Sequence, residues 1–302
     1  MKKIYLLLVV VISISGSLQA QQDPHFVSEG FSPFWTNPAS FGSWNKFSVN
    51  TVGGLEYVGF GDPRQKLMVN AEFALPIGEK FTPNSTFQIG TGINFIATSF
   101  GGIKTKIFQV PLNYQFKIQN TTLSIGVSPG FRQLDFTYVI WVPPTDNPDP
   151  LIPIWRQSTF QLDAGVFWYG EQFYLGLSST QITTPIYDEL YFQSARHYYL
   201  QGGYRFKVGK HYIFPQLQLG FDGATFGFWN LNYFQFKEDI FSVGIGVRAG
   251  WNVLFAATAR YKQFKIAYNY DLISTPFGGF SKGSHQVRLS FIIDKAGKNK
   301  GN

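Results

Sequence analysis

Four histidines, His25, His197, His211 and His285, are the side chains best suited to proton or metal chemistry at neutral pH. Their spacing assembles none. The chain has no H-E-x-x-H pair, no Gly-x-Ser-x-Gly elbow and no cysteine to serve as thiolate. Gly244-Ile245-Gly246 lies inside an alternating segment and opens no helix, so the phosphate-loop reading fails. His197 and His285 begin extended segments, with Asp188 and Glu189 in the connection before His197. A hydrolase at the rim of a barrel would draw on such residues. The competing account, ordinary polar residues at strand ends, is adopted. The expectation is therefore no enzyme, no catalytic residue, no cofactor and no metal.

A second group of residues is suited to binding. One connection, residues 136–156, carries Tyr138, Trp141 and Trp155 around Pro143, Pro144 and Pro153. Another, residues 182–195, carries Tyr187, Tyr191 and Phe192. Large rings on Pro-stiffened loops suit the docking of a partner protein. The same rings also suit an aromatic girdle or packing over an interior, and both readings stand open here. A third group is polar and shares one strand face: Gln88, Asn94, Gln109, Asn113, Gln115, Arg132, Gln201, Arg205, Gln216, Gln218, Lys265, Asn269 and Arg288. It would line a solute channel or fill a hydrogen-bonded barrel interior equally well.

The elements that carry these groups are strands. In residues 284–294, Val287, Leu289, Phe291 and Ile293 alternate with Gln286, Arg288, Ser290 and Asp294, the period of two that gives one greasy and one wet face. About 14 such runs follow one another, as expected for an even-stranded barrel. They cover residues 47–59, 67–76, 86–98, 104–118, 121–135, 157–169, 172–181, 196–208, 211–221, 225–237, 240–250, 252–261, 263–271 and 284–294. Pro111 and Pro215 fall inside runs, where a missing backbone donor is tolerated only at an edge or bulge. The fifth, seventh and thirteenth connections are the longest, while the eighth, tenth and twelfth are tight. That parity suits a barrel whose two ends face the periplasm.

Composition agrees. Aromatic residues make up 18% of the chain and charged residues only 14%. Lys2, Lys3 and the apolar residues 4–14 read as a secretory signal cleaved after Ala20. The apolar run is too short for a spanning helix, and no later stretch approaches the length needed. Without cysteine there is no lipoprotein anchor and no disulfide. Removing Lys2 and Lys3 lowers the formal charge from +7 to +5, too small and diffuse for nucleic acid. The expectation is an all-β, antiparallel up-and-down transmembrane β-barrel in the outer membrane of a Gram-negative bacterium. Residues 1–20 are the signal peptide, 21–46 an N-terminal periplasmic or plug segment, 47–294 the barrel and 295–302 a basic periplasmic tail.

The ordered series of short motifs carries a resemblance. It starts at Gln21-Gln22-Asp23-Pro24-His25-Phe26 and Trp35-Thr36-Asn37-Pro38-Ala39. It continues through Asp163-Ala164-Gly165-Val166-Phe167-Trp168-Tyr169, Tyr174-Leu175-Gly176-Leu177-Ser178-Ser179 and Arg196-His197-Tyr198-Tyr199-Leu200. It closes with Ile266-Ala267-Tyr268-Asn269-Tyr270-Asp271 and Gly283-Ser284-His285. In this the chain resembles the PorP/SprF family of type IX secretion system outer-membrane proteins. Gln286 stands where the family usually carries Glu, and residues 295–302 follow the last strand, where many barrels stop at an aromatic residue. The resemblance implies a non-enzymatic secretion accessory, in some members tied to surface adhesins and gliding. Implied partners are a large translocon barrel, the C-terminal domain of secreted cargo and peptidoglycan-associated periplasmic proteins, in contact with membrane lipid. The alternative from a different class is a channel for small solutes or hydrophobic compounds.

Overall fold

The computed structural model describes residues 26, 35–59, 61–77, 87–136, 155–184, 186–187, 192–236, 240–274 and 279–294. Fourteen antiparallel strands close into a barrel. They are β1 Lys46–Glu56, β2 Arg64–Ile77, β3 Phe87–Phe100, β4 Ile103–Gln109 with Leu112–Ile118, β5 Thr121–Phe136, β6 Trp155–Tyr169 and β7 Phe173–Thr180. The circuit continues with β8 His197–Tyr204 and Phe206–Val208, β9 His211–Phe221, β10 Phe226–Phe236, β11 Phe241–Arg248, β12 Asn252–Tyr261, β13 Phe264–Leu272 and β14 Ser284–Asp294. Each strand pairs with its neighbour, and β1 pairs with β14 from Lys46 opposite Asp294 to Leu55 opposite His285. No edge is left open, which satisfies the backbone polar groups where lipid cannot.

The period of two decides which side chain meets lipid. In β2, Lys66, Met68, Asn70, Glu72 and Ala74 are buried in the lumen, while Leu67 and Leu75 stand exposed outside. Of the polar set expected on one face, Arg205, Lys265 and Arg288 are half-buried and the rest face inward. Gln88, Asn94, Gln109, Asn113, Gln115, Arg132, Gln201, Gln216, Gln218 and Asn269 are all buried. Among the described residues no helix is long and apolar enough to cross a membrane. Crossing is left to the strands.

The in-strand prolines interrupt the ladder locally. Thr91 pairs with Leu112 and Asn94 with Gln109, so β4 loses contact with β3 at Val110 and Pro111. There the Val110 N–H donates to Pro129 O at 3.0 Å, and the Thr91 hydroxyl to Pro111 O at 2.9 Å. Pro215 repeats the device. Gly203 pairs with Gln216 and Phe206 with Ile213, breaking β8 at Arg205, while Pro215 keeps its place opposite Asn232 of β10. On its other side β8 keeps its register with β7, where the Arg205 N–H donates to Gln172 O at 2.6 Å.

Lys46 and Asp294 share one rim. On that rim the connections 119–120, 170–172, 209–210 and 262–263 are short, and only 78–86 is long. The opposite rim carries 57–63, 137–154, 181–196 and 273–283. Three connections on it are short: 222–225, 249–251 and the two-residue turn at Gly101 and Gly102, whose φ angles of 56° and 83° suit a hairpin that follows the strand twist. The connection after β7 also holds a small hairpin not expected from the sequence, Ile186–Tyr187 paired with Phe192–Gln193.

Candidate functional site

The lumen is occupied by the chain's own N-terminal segment. Asn37 starts it. Pro38 supplies the first residue of a 3-10 turn, Pro38–Ser40, and Asn37 caps it by accepting from the Ala39 N–H at 3.0 Å. The other end of the same carboxamide donates to Val166 O of β6 at 3.1 Å. One side chain therefore folds the segment and ties it to the wall.

The wall replies with polar groups spaced two apart. Asn113 Nδ2 donates to Pro38 O at 3.0 Å and Phe41 O at 2.9 Å, and Gln115 Nε2 to Phe41 O at 3.0 Å. Glu72 accepts from the Gly42 N–H at 2.9 Å and from the Ser48 hydroxyl at 2.7 Å. Gln201 donates to the Thr36 hydroxyl, and the Trp44 indole to Gly170 O at 2.7 Å. Thr36, Asn37, Ala39, Ser40 and Phe41 are fully buried. Small wall residues make the room: a Cβ on Gly126 would lie 2.9 Å from Ala39 Cα, and one on Gly176 would lie 2.8 Å from Asn37 Nδ2. These glycines are inward positions of strands where a backbone passes close by.

Rings fill the space around the segment. Phe167, Tyr169, Tyr174, Phe214, Leu231, Tyr233 and Leu254 form one buried cluster with Ala39, and Trp44 packs against it. A second joins Phe26 and Trp35 to Val52, Met68, Ile96, Ile107 and Tyr199. The Phe26 and Trp35 rings meet edge-on at 6.0 Å, and Trp35 meets Tyr199 at 5.8 Å. Rings and segment together fill the middle of the interior.

A chamber of about 330 Å³ opens above Phe26 and Tyr199, in the half of the lumen nearer the longer connections. A charge network lines it. Glu56 meets Lys66 at 2.7 Å, Arg64 at 3.5 Å and Arg248 at 4.0 Å, and Arg248 meets Asp271 at 2.5 Å. The network is internally paired.

The candidate residues read from sequence fall as follows. Tyr138, Trp141 and Tyr191 lie outside the described residues, as do Asp188 and Glu189. Tyr187 and Phe192 pair in the small hairpin. Trp155 was expected in the long connection but is the first residue of β6. It is only 5% exposed and packs with Leu134 and Phe136 on the inner face. It shares the parity of Gln161 and Asp163, and this turns its ring inward. His197 faces the lumen, stacked on Tyr199, while His285 sits on the outer face with Nδ1 2.6 Å from the Tyr268 hydroxyl. The barrel wall separates them. Among the described residues no three His, Asp or Glu side chains converge as a metal site. Sequence reasoning missed Asn37, Glu72 and the Glu56 network. For Asn37 the available signal was Asn-Pro inside an aromatic, non-periodic stretch.

Comparison with known proteins gives three results. A family model described as type IX secretion system membrane protein PorP/SprF matches residues 18–291. No curated protein matches. Among solved structures, a Pseudomonas aeruginosa FadL homologue is 11% identical, with 85% of this chain and 92% of that one aligned at a TM-score of 0.49. The P. putida toluene transporter TodX is 8% identical, with 85% and 90% aligned at 0.46. The outer membrane phospholipase A of Escherichia coli is 10% identical, with 87% and 93% aligned at 0.32. Likenesses this distant carry no argument about function.

Proposed function

Since the chain belongs to the PorP/SprF family of type IX secretion system membrane proteins, we propose that it is a non-enzymatic accessory of that pathway. In this reading it docks or anchors exported proteins that bear a C-terminal secretion domain. It is an outer-membrane β-barrel, and the rim holding Lys46 and Asp294 faces the periplasm. The longer connections then face outward, with Tyr138, Trp141, Tyr187, Tyr191 and Phe192 as contacts for cargo or for a large translocon barrel. Trp155 serves the same loop from below, as its anchor on the wall. The tail after Asp294 is available to peptidoglycan-associated periplasmic proteins, and display of gliding adhesins is one use of such a platform.

The observation that carries this reading is the filled lumen. A barrel whose centre is closed by Asn37, Phe41 and Trp44 offers surfaces rather than a path. A solute channel would require residues 35–45 to leave, breaking the hydrogen bonds donated by Asn113 and Gln115 and the one accepted by Glu72 together. The test is a deletion strain examined for surface cargo. Loss of a subset of secreted proteins from the surface supports the accessory role. Normal display of all cargo, with lowered uptake of small solutes, favours the channel instead.

A further inference from the structure

The outer wall carries its densest group of charges on β4, β5 and β6. Outward positions carry exposed apolar side chains around most of the barrel, Leu200, Leu217, Ile245, Phe255 and Leu289 among them. On β4, β5 and β6 this holds as far as Phe108, Phe131 and Phe160, which lie side by side across the three strands. The next outward positions toward the longer-loop rim are Lys106, Gln133 and Ser158, again in register. The row after that is Lys104, Asp135 and Arg156. Two residues advance a strand by about 7 Å, so these rows stand roughly 7 and 13 Å beyond the rings.

Asp135 accepts from Arg156 Nε at 2.8 Å and from Gln133 Nε2 at 2.8 Å, leaving Arg156 64% exposed. Lys104 and Lys106 are exposed, and among the described residues no ion pair holds either. Three cations therefore face one carboxylate. The charge is one-sided: at the same rim of β8, β9 and β10 the outer face is aromatic, with Tyr198, Phe221 and Phe226 side by side, and β10 turns polar only in mid-strand at the uncharged Asn230 and Asn232. A barrel simply emerging into water would turn polar all round.

An apolar trough adjoins the cations. The Lys106 row runs on through Ala97, Leu67 and Gly53. Gly53, Leu55, Leu67 and Ala97 floor a groove of about 630 Å³ that Lys104 and Lys106 close on one side. A Cβ on Gly53 would meet nothing within 4 Å. Cations above a ring row and beside an open apolar trough match one amphipathic ligand, a phosphate-bearing headgroup joined to acyl chains.

We propose that this patch holds a phosphorylated glycolipid of the outer leaflet, with Lys104 and Lys106 donating to phosphate and an acyl chain in the Gly53–Ala97 trough. The assignment to that leaflet rests on the orientation proposed above; the phosphate chemistry does not. The test is native mass spectrometry of the whole protein, purified from its own outer membrane in mild detergent, as wild type and as K104E/K106E. Both side chains are exposed, and heat-modifiable mobility on a gel checks that the variant barrel has formed. The expected result is a phosphorylated glycolipid retained by the wild type and retained about tenfold less by the variant. Equal retention by both overturns the site. A lysine-dependent phospholipid in place of the glycolipid overturns the leaflet assignment and, with the orientation, the outward placing of the docking loops, whereas failure of the lysine site alone leaves the docking role untouched. Loss of a bound protein instead of a lipid overturns the proposal in favour of a protein-facing patch.

Discussion

The carboxamide of Asn37 occupies the space that a side chain on Gly176 would need. A Cβ there would lie 2.8 Å from Nδ2 and 3.0 Å from the Gln201 carboxamide oxygen. The relationship ties a residue of the N-terminal segment to the wall strand β7 through the absence of a side chain. It means the segment and the wall are shaped for each other, so closure of the lumen is part of the fold.

Bulk at the cradle should therefore open the barrel. Gly176→Val suits a strand but displaces Asn37, whereas Asn37→Ala removes the bonds to Val166 O and the Ala39 N–H. Leaving those groups unpaired costs about 1–3 kcal/mol. In planar bilayers the wild type should be nearly silent, Asn37→Ala should open intermittently, and Gly176→Val should conduct steadily. Silence from Gly176→Val in a correctly folded barrel would show that the segment does not seal the lumen.

The network around Glu56 should matter for stability in proportion to burial. The Glu56 side chain is 5% exposed and that of Arg64 32%. Glu56→Gln strands Lys66 and weakens the hold on Arg248, a loss of about 3 kcal/mol for a broken buried pair, against under about 1 kcal/mol for Arg64→Gln. Urea midpoints of the refolded barrel in detergent measure the difference. Equal midpoints for the two variants would refute the ranking.

Trp155 and Trp141 should separate cleanly. Truncating the buried Trp155 leaves a cavity beside Leu134, which costs about 3–5 kcal/mol and lowers the unfolding midpoint. Trp141→Ala should leave that midpoint in place and weaken capture of cargo, by about 2 kcal/mol if it is an anchor of the interface. Pull-down of cargo by each variant, with melting run alongside, reads both effects. Undiminished capture by Trp141→Ala would remove this loop from the docking surface.

His197→Ala and His285→Ala should leave any ester hydrolysis at the cell surface unchanged, since the two rings lie on opposite faces of the wall. An activity lost with either histidine would contradict the non-enzymatic account.

Much of the barrel was legible because lipid on one side and a packed lumen on the other impose strict alternation. Gln109, Asn113 and Gln115 could be assigned inward from parity alone. The breaks at Pro111 and Pro215 were visible as missing donors, though not the partner strand that would lose contact. Trp155 was misplaced because the strand was begun at residue 157. Extending the same parity by one more step turns it inward. The packing of Asn37 was not legible, since residues 35–45 have no period, and their contacts are spread over β2, β4, β6 and β8. The Glu56 network shows why: its ion pairs join residues 8, 10, 23 and 192 positions apart, and only barrel closure brings Arg248 to Glu56.

The most direct test of the central claim is affinity purification of the protein from its native outer membrane in mild detergent, with co-purifying proteins identified by mass spectrometry. Recovery of a very large barrel together with the C-terminal domain of a secreted protein is the predicted result. Recovery of this barrel alone, conducting in bilayers with its N-terminal segment intact, would contradict it.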